Sequence, residues 1–201
     1  MSGTFPNNRI RAMNFKNNQP NLITTSLSGR RQAKSQGQQF FSFTVQTPPL
    51  VTVEYKEIMA FLASQRGQFD AFSIQLPGVS TPSGTISSDP FTVSDANADA
   101  GEKSVTVTGG VASQTDYMKA GDLVRFTDHN KVYMLTADVD TDGSGNATLN
   151  FEPGLIQDVN NGQSVETNGV QFTVFMTSGM QEYQFFVDGK TQLEFECREA
   201  I

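Results

Sequence analysis

The stretch that decides the fold contains FFSFTV at residues 40–45 and closes with RGQFDAFSIQLP at residues 66–77. In the first sequence, Phe41, Phe43 and Val45 alternate with Ser and Thr. A period of two is typical of a strand with one apolar face. The second sequence opens on Arg-Gly, a turn signal, and continues into another short apolar run that ends at a proline. Two strands of one sheet are therefore expected here.

Residues 51–66, between these two strands, predict a helix. Tyr55, Ile58, Met59 and Leu62 recur at spacings of three and four and form an apolar stripe. Such a stripe needs an apolar surface to cover, and the flanking strands supply one. We interpret the stripe as core packing, with a groove for a partner as the alternative.

Beyond residue 78 the composition changes. Residues 78–100 are rich in Gly, Ser, Thr, Pro, Asp and Ala, and short alternating runs follow, separated by turn clusters. Strands at this spacing predict a small antiparallel barrel or sandwich. The runs lie at residues 105–107, 123–126, 131–135, 147–151 and 170–175.

The last part of the chain returns to longer alternating strands. Residues 183–187 and 192–196 flank Asp188-Gly189-Lys190, and Asp-Gly between alternating runs is a hairpin signal. A single hairpin is marginally stable alone, so we expect it to join the sheet that the early strands begin.

The predicted layout is discontinuous and mainly β. Residues 1–77 and 179–201 form one β domain with the single helix, and residues 78–178 form an inserted barrel or sandwich domain. A chain of 201 residues is long enough for this arrangement.

Charge is unevenly distributed along the chain. The first 53 residues carry six basic and no acidic side chains, whereas the remaining 148 carry eight basic and all 21 acidic ones. The basic residues are too thinly spread to indicate specific nucleic-acid binding. The polarity favours pairing with an acidic neighbouring subunit. Arg30 and Arg31 are the candidate inter-subunit contacts, and a solvated strand edge is the alternative.

One acidic loop invites a metal interpretation. Asp138, Asp140 and Asp142 occupy the first, third and fifth positions of a calcium-loop pattern, with Gly143 at the sixth. The twelfth position, where a bidentate Glu is needed, is Leu149, and both flanks are strand-like. We interpret the segment as a polar hairpin loop, which leaves these three carboxylates as a weak metal candidate.

Catalytic patterns are absent from the sequence. His129 is the sole histidine and lies in turn-forming sequence, and Cys197, the sole cysteine, shares the parity of apolar strand residues. There is no nucleophile elbow, phosphate loop or dinucleotide fingerprint. We therefore expect no catalytic residues, no cofactor and no enzyme activity. A lone cysteine, a first few residues without an apolar run and the lack of a spanning segment predict a soluble protein made in the cytoplasm.

These elements together resemble the distal tail proteins of long-tailed (siphovirus-type) bacteriophages. The resemblance rests on the aromatic strand and on four short sequences. They are Ser28-Gly29-Arg30, Phe61-Leu62-Ala63-Ser64-Gln65-Arg66-Gly67, Phe72-Ser73-Ile74-Gln75-Leu76-Pro77, and a module from Ala120-Gly121-Asp122-Leu123-Val124 to Glu152-Pro153-Gly154-Leu155.

The resemblance implies a structural role and a set of partners. Proteins of this family form hexameric rings between the tail tube and the tip hub of the virion. The implied fold is a tube-protein-like β-sandwich or split barrel with a peripheral β-barrel. The implied partners are other copies of the chain, the tail tube protein and the hub protein, and no membrane. A different minor tail or tube ring protein, or a module that binds a host surface glycan, is the alternative function.

Overall fold

The computed structural model describes residues 3–6, 9–96, 98–187 and 189–201. Within these ranges the chain forms fourteen strands and one helix. In chain order they are β1 Ala12–Asn18, β2 Asn21–Thr25, β3 Arg31–Ser35, β4 Phe40–Gln46, α1 Thr52–Ser64, β5 Phe72–Gln75, β6 Thr92–Val93, β7 Ser104–Thr108, β8 Leu123–Phe126, β9 Val132–Leu135, β10 Ala147–Glu152, β11 Val165–Glu166, β12 Gln171–Met176, β13 Tyr183–Phe185 and β14 Thr191–Glu199.

The first sheet is antiparallel, and the last strand lies at its centre. The strand order is β1-β4-β14-β12-β5, with β13 paired to the start of β14. Phe43 of β4 lies opposite Phe15 of β1 on one side and opposite Cys197 of β14 on the other. Strands from the two ends of the chain thus complete one β framework.

The inner face of this sheet carries the aromatic core that the alternation at residues 40–45 predicts. Phe41, Phe43 and Val45 have no exposed surface. The ring of Phe172 meets those of Phe41 and Phe43 edge-to-face, with centroids 6.0 and 5.7 Å apart. Edge-to-face pairs contribute roughly 0.5–1.5 kcal/mol each beyond the area they bury.

The helix covers the same core, although it is shorter than predicted. It spans Thr52–Ser64 rather than residues 51–66, and it buries Ile58 and Leu62. It ends early because Arg66 adopts a left-handed conformation, with φ of 54°. No helix in the described part of the chain is long and apolar enough to cross a membrane.

The second sheet curls into a six-stranded antiparallel barrel with the order β11-β8-β9-β10-β7-β6. Its two edge strands meet through backbone hydrogen bonds. The amide of Val165 donates to the Phe91 carbonyl at 3.0 Å, and the amide of Val93 donates to the Gln163 carbonyl at 2.8 Å. A separate apolar core, which includes the buried Phe126, fills the barrel.

The predicted fold class, mainly β with one helix and a small antiparallel barrel, is confirmed. One strand was assigned to the wrong sheet. Residues 170–175 were expected in the inserted domain 78–178, but β12 pairs with β5 and β14 in the first sheet. A strand with an apolar face fits either core, and its long-range partners are not written in its own sequence. The rest of the predicted division, residues 1–77 and 179–201 around an insertion, stays a prediction.

The hairpin expected near the end of the chain joins β13 to β14, with Tyr183 opposite Leu193. Asp188, on which that expectation was partly based, lies outside the described residues.

A two-stranded hairpin, residues 21–35, projects from the end of the first sheet, and we call it the arm. Its strands β2 and β3 pair only with each other in the described part of the chain. Every residue from 21 to 35 is exposed, so neither face of the arm packs on the body. An isolated hairpin of this kind is marginally stable in water.

Replacement of Gly145 by Ala is expected to destabilise the barrel. Gly145 has φ of +78°, and a Cβ placed there would lie only 2.2 Å from the carbonyl oxygen of Gly110. The backbone must shift to relieve this contact, so we expect a loss of about 2 kcal/mol or more in the free energy of unfolding. Urea denaturation followed by circular dichroism measures it. Gly143→Ala, in the same loop but with open space around its Cβ, is the matched control. Equal midpoints for the two variants would contradict the prediction.

Candidate functional site

The predicted inter-subunit residues lie at the tip of the arm. Arg30 closes the turn, where its carbonyl accepts a hydrogen bond from the Ser26 amide at 2.9 Å. Arg31 is the first residue of β3 and lies opposite Thr25. None of the ion pairs within the described residues involves Arg30, Arg31 or Lys34. Their role as contacts between subunits stays a prediction.

The arm also exposes apolar side chains. Leu22 and Ile23 are about half exposed, at 46% and 51%, and Leu27 in the turn is fully exposed. Residues that lie opposite each other share one face of the hairpin. One face therefore carries Leu22 beside Lys34, and the other carries Ile23 beside Ala33. A surface with three cations, no acid and three exposed aliphatic side chains is typical of a protein-binding element.

An acidic hollow lies on the outer side of the first sheet, near the hairpin formed by β13 and β14. We call it the acidic groove. It consists of two adjoining depressions that share Glu182 and Glu194. Met180 and Glu196 also line it, and at its border the ring of Phe185 packs edge-to-face on Tyr55 of α1, with centroids 5.6 Å apart.

Exposed apolar groups border the carboxylates of the acidic groove. Met180 is 80% and Phe185 59% exposed. The carboxylate of Glu194 accepts a hydrogen bond from Gln46 at 2.8 Å, and Glu196 pairs with Lys16 at 3.4 Å. The acidic groove therefore has the composition of the arm with the opposite charge.

A buried ion pair joins the barrel to the first sheet. Lys131, just before β9, and Glu199, at the end of β14, are both fully buried, and Lys131 Nζ lies 2.8 Å from Glu199 Oε2. The amides of Val132 and Phe41 donate to the carboxylate at 2.7 and 3.1 Å, while the ammonium donates to the Val132 carbonyl at 2.7 Å.

The surroundings of the pair explain how it tolerates burial. The ammonium of Lys131 also lies 4.6 Å from the centroid of the Phe41 ring, a cation–π distance. Burial lowers the pKa of Lys131, and the charge of Glu199 opposes that effect. Because β4, β9 and the adjacent Lys131 all donate hydrogen bonds to one carboxylate of β14, this pair fixes how the barrel meets the sheet.

Sequence reasoning missed this pair, yet a signal was present. In β14 the residues Leu193, Phe195 and Cys197 alternate inward, and Glu199 continues that parity. An acid at an inward position indicates a buried partner. The expected burial of Cys197 is confirmed, and burial raises the pKa of its thiol, so the residue acts as a small core side chain.

The only histidine is part of the barrel interior. Asp128 Oδ1 lies 2.8 Å from His129 Nδ1, outside hydrogen-bonding angles, and Nε2 is 2.8 Å from the Tyr133 hydroxyl. That hydroxyl also accepts a hydrogen bond from the amide of Ile156 at 3.2 Å. Burial lowers the pKa of His129, and the charge of Asp128 opposes this.

The carboxylates of the candidate metal loop accept hydrogen bonds from backbone amides. Asp138 accepts from Ala120 at 2.8 Å, Asp140 accepts from the amide of Asp116 at 2.7 Å, and Asp142 accepts from amides within its own turn. No group of three or more His, Cys, Asp or Glu side chains within the described ranges could hold a metal ion. What the arrangement shows is a set of loop-forming hydrogen bonds.

With the geometry in place, comparison with known proteins identifies the barrel. Residues 91–170 match the family model described as distal tail protein pb9, B domain. The matched range contains all six barrel strands. The barrel is therefore similar to a domain of a distal tail protein, and for this domain the resemblance found in the sequence is confirmed. This match supports a structural role in a phage tail. A search of curated proteins found no match.

Removal of either partner of the buried ion pair is expected to destabilise the protein strongly. Lys131→Met leaves a buried carboxylate without its cation, and Glu199→Gln leaves a buried ammonium without its anion. Each should cost about 3–5 kcal/mol in the free energy of unfolding, measured by urea denaturation.

The exposed pair of Lys16 and Glu196 provides the control. Its side chains are 54% and 47% exposed, so Lys16→Met should cost about 1 kcal/mol or less. The double variant Lys131→Met/Glu199→Gln should lose less than the sum of its single losses, because the two groups interact. A Lys131→Met variant as stable as Lys16→Met would show that the junction does not depend on the pair.

Acidification is expected to destabilise the protein through His129. The folded-state pKa lies below the ordinary value of 6.5, so between pH 7.5 and 5.5 the unfolded chain takes up a proton that the folded chain does not. Stability therefore falls as pH falls through this window, by up to about 1.4 kcal/mol per pH unit. Because there is one histidine, the slope of the thermal midpoint against pH should flatten in His129→Gln. Equal slopes of the thermal midpoint against pH in the wild type and in His129→Gln would show that His129 does not cause the pH dependence.

Proposed function

We propose that this protein is a non-enzymatic subunit of the distal end of a phage tail, where copies form a hexameric ring that joins the tail tube to the tip hub. The observation that carries the proposal is the match of residues 91–170 to the B domain of a distal tail protein. The tube protein and the hub protein are the proposed neighbours on the two sides of the ring.

The first sheet supports an assembly role. Its inner face is closed by the aromatic core and the helix, whereas its outer face carries exposed charge, as at Glu194, Glu196 and Arg198. The arm and the acidic groove offer two surfaces of different composition on one subunit. A ring made by one kind of contact needs two such different surfaces on every subunit.

The barrel offers little to the alternative of host-glycan binding. Sugar sites commonly present aromatic faces, and the five aromatic side chains of residues 91–170 are all buried in the barrel core. They are Phe91, Tyr117, Phe126, Tyr133 and Phe151. The structural role is accordingly the function that the geometry supports best.

Two measurements test the proposed ring. Size-exclusion chromatography with light scattering should give a discrete species of six times the chain mass, and electron microscopy should show closed rings. The reason is that a head-to-tail contact that closes on itself yields one defined size rather than a ladder. A monomer at all accessible concentrations would contradict the proposal.

Gold-labelled antibody against this chain distinguishes the ring from its rivals in intact particles. A subunit of the distal ring should be labelled at a single end of the tail. Labelling along the tail would instead assign the chain to the tube, which is the nearest structural alternative.

A further inference from the structure

We infer that the arm of one copy docks in the acidic groove of a second copy of this chain, so that a single repeated contact links the subunits of the ring. This inference rests on the proposed ring function and specifies the surfaces that would build it.

The arm has the properties of an element whose partner lies on another molecule. Its two strands pair only with each other in the described part of the chain, and both of their faces are exposed. A two-stranded hairpin gains stability when a further surface covers one of its faces. Because successive strand residues face opposite sides, such docking would bury one face, the one that carries Ile23 and Ala33 together with Arg31, and Leu27 extends the apolar area at the tip.

Charge identifies the acidic groove as that surface. The arm carries Arg30, Arg31 and Lys34 without an acidic residue, and the acidic groove presents exposed carboxylates at Glu182 and Glu194. Opposite charges arranged on two surfaces of one chain favour association between copies and fix its register.

Apolar groups match as well as charges. Met180 lies beside the carboxylates in the acidic groove and is largely exposed. It could pack against Ile23 of an incoming arm while the arginines reach the glutamates. Interfaces commonly place such apolar contacts at the centre and charged pairs at the rim.

The position of the two surfaces makes the contact head-to-tail. The arm leaves the first sheet beyond the pair Asn18–Phe40, whereas the acidic groove lies toward the other end of β4, around Thr44 and the pair Gln46–Glu194. At about 3.3 Å per residue, Phe40 is roughly 13 Å from Thr44 and roughly 20 Å from Gln46 along β4. An arm therefore meets the acidic groove of a neighbour, and repetition of that contact closes a ring when the rotation is right.

Charge reversal on each surface, alone and together, tests the docking. Arg30→Glu/Arg31→Glu and Glu182→Lys/Glu194→Lys should each reduce the ring fraction at least tenfold in light scattering and native mass spectrometry. The fourfold variant should regain most of it, since the reversed charges again attract. All the substituted residues are exposed, and circular dichroism with thermal melting confirms that each variant folds.

Matched reversals away from both surfaces serve as controls. Lys56→Glu, on the exposed side of the helix, has the sign of the arm reversal, and Glu102→Lys, on a barrel loop, has the sign of the groove reversal, and both should leave the ring fraction unchanged. A ring that forms normally with both arm arginines reversed would overturn the docking and leave the ring function standing. A wild-type chain that forms no ring would overturn both.

A disulfide trap locates the contact directly. An equimolar mixture of Ile23→Cys and Met180→Cys should yield a cross-linked dimer under mild oxidation, while either variant alone should not. Cys197 is fully buried and does not compete. In assembled tails, a thiol-to-amine cross-linker on the Ile23→Cys variant that captures the tube protein or the hub, and no second copy of this chain, would assign the arm to a different partner and refute the inference.

Discussion

The buried pair of Lys131 and Glu199 is the interaction on which the arrangement of the two sheets depends. Two charges without solvent contact are costly unless every remaining donor and acceptor is satisfied. Here the carboxylate accepts from β4, from β9 and from the lysine itself, so one side chain ties three elements together. A core of apolar contacts alone would tolerate small shifts of the barrel, whereas this geometry permits one position.

That fixed junction matters because it holds the barrel on the sheet that also carries the exposed elements. The arm leaves one end of the first sheet and the acidic groove lies toward the other, and the barrel is held through the contact of Lys131, beside β9, with Glu199 of β14. A subunit of an ordered assembly must present its contact surfaces with a fixed spacing. The rigid junction and the aromatic core supply that spacing, and the surface elements supply the chemistry of contact.

The sequence predicts the local elements far better than their long-range partners. The alternation of Phe41, Phe43 and Val45 and the stripe through Ile58 and Leu62 are strong local patterns, and both describe the observed core. The strand at residues 170–175 has an equally clear pattern, but its position in the first sheet depends on pairing with β5 and β14, which no local pattern encodes.

The two candidate surfaces also differ in how far the sequence alone reveals them. The uneven distribution of charge indicated Arg30 and Arg31 as contacts, because charge can be counted in the sequence. The projection of the arm could have been anticipated, since RQAKS in β3 has no large apolar residue to pack on a body. The acidic groove joins residues that only the folding of β13 against β14 brings together, and the buried lysine looks like any surface lysine until its partner is known.

The central position of β14 also sets an order of events during synthesis. The barrel strands are contiguous in the chain and can close as soon as residue 166 has emerged. In contrast, β4 can pair with β1 early but lacks β14 on its other side until residues 191–199 follow. During that interval the face bearing Phe41, Phe43 and Val45 is an open apolar surface next to an unpaired edge. Such a nascent intermediate is prone to aggregation, so the yield of native protein depends on how quickly the ribosome delivers the final strand.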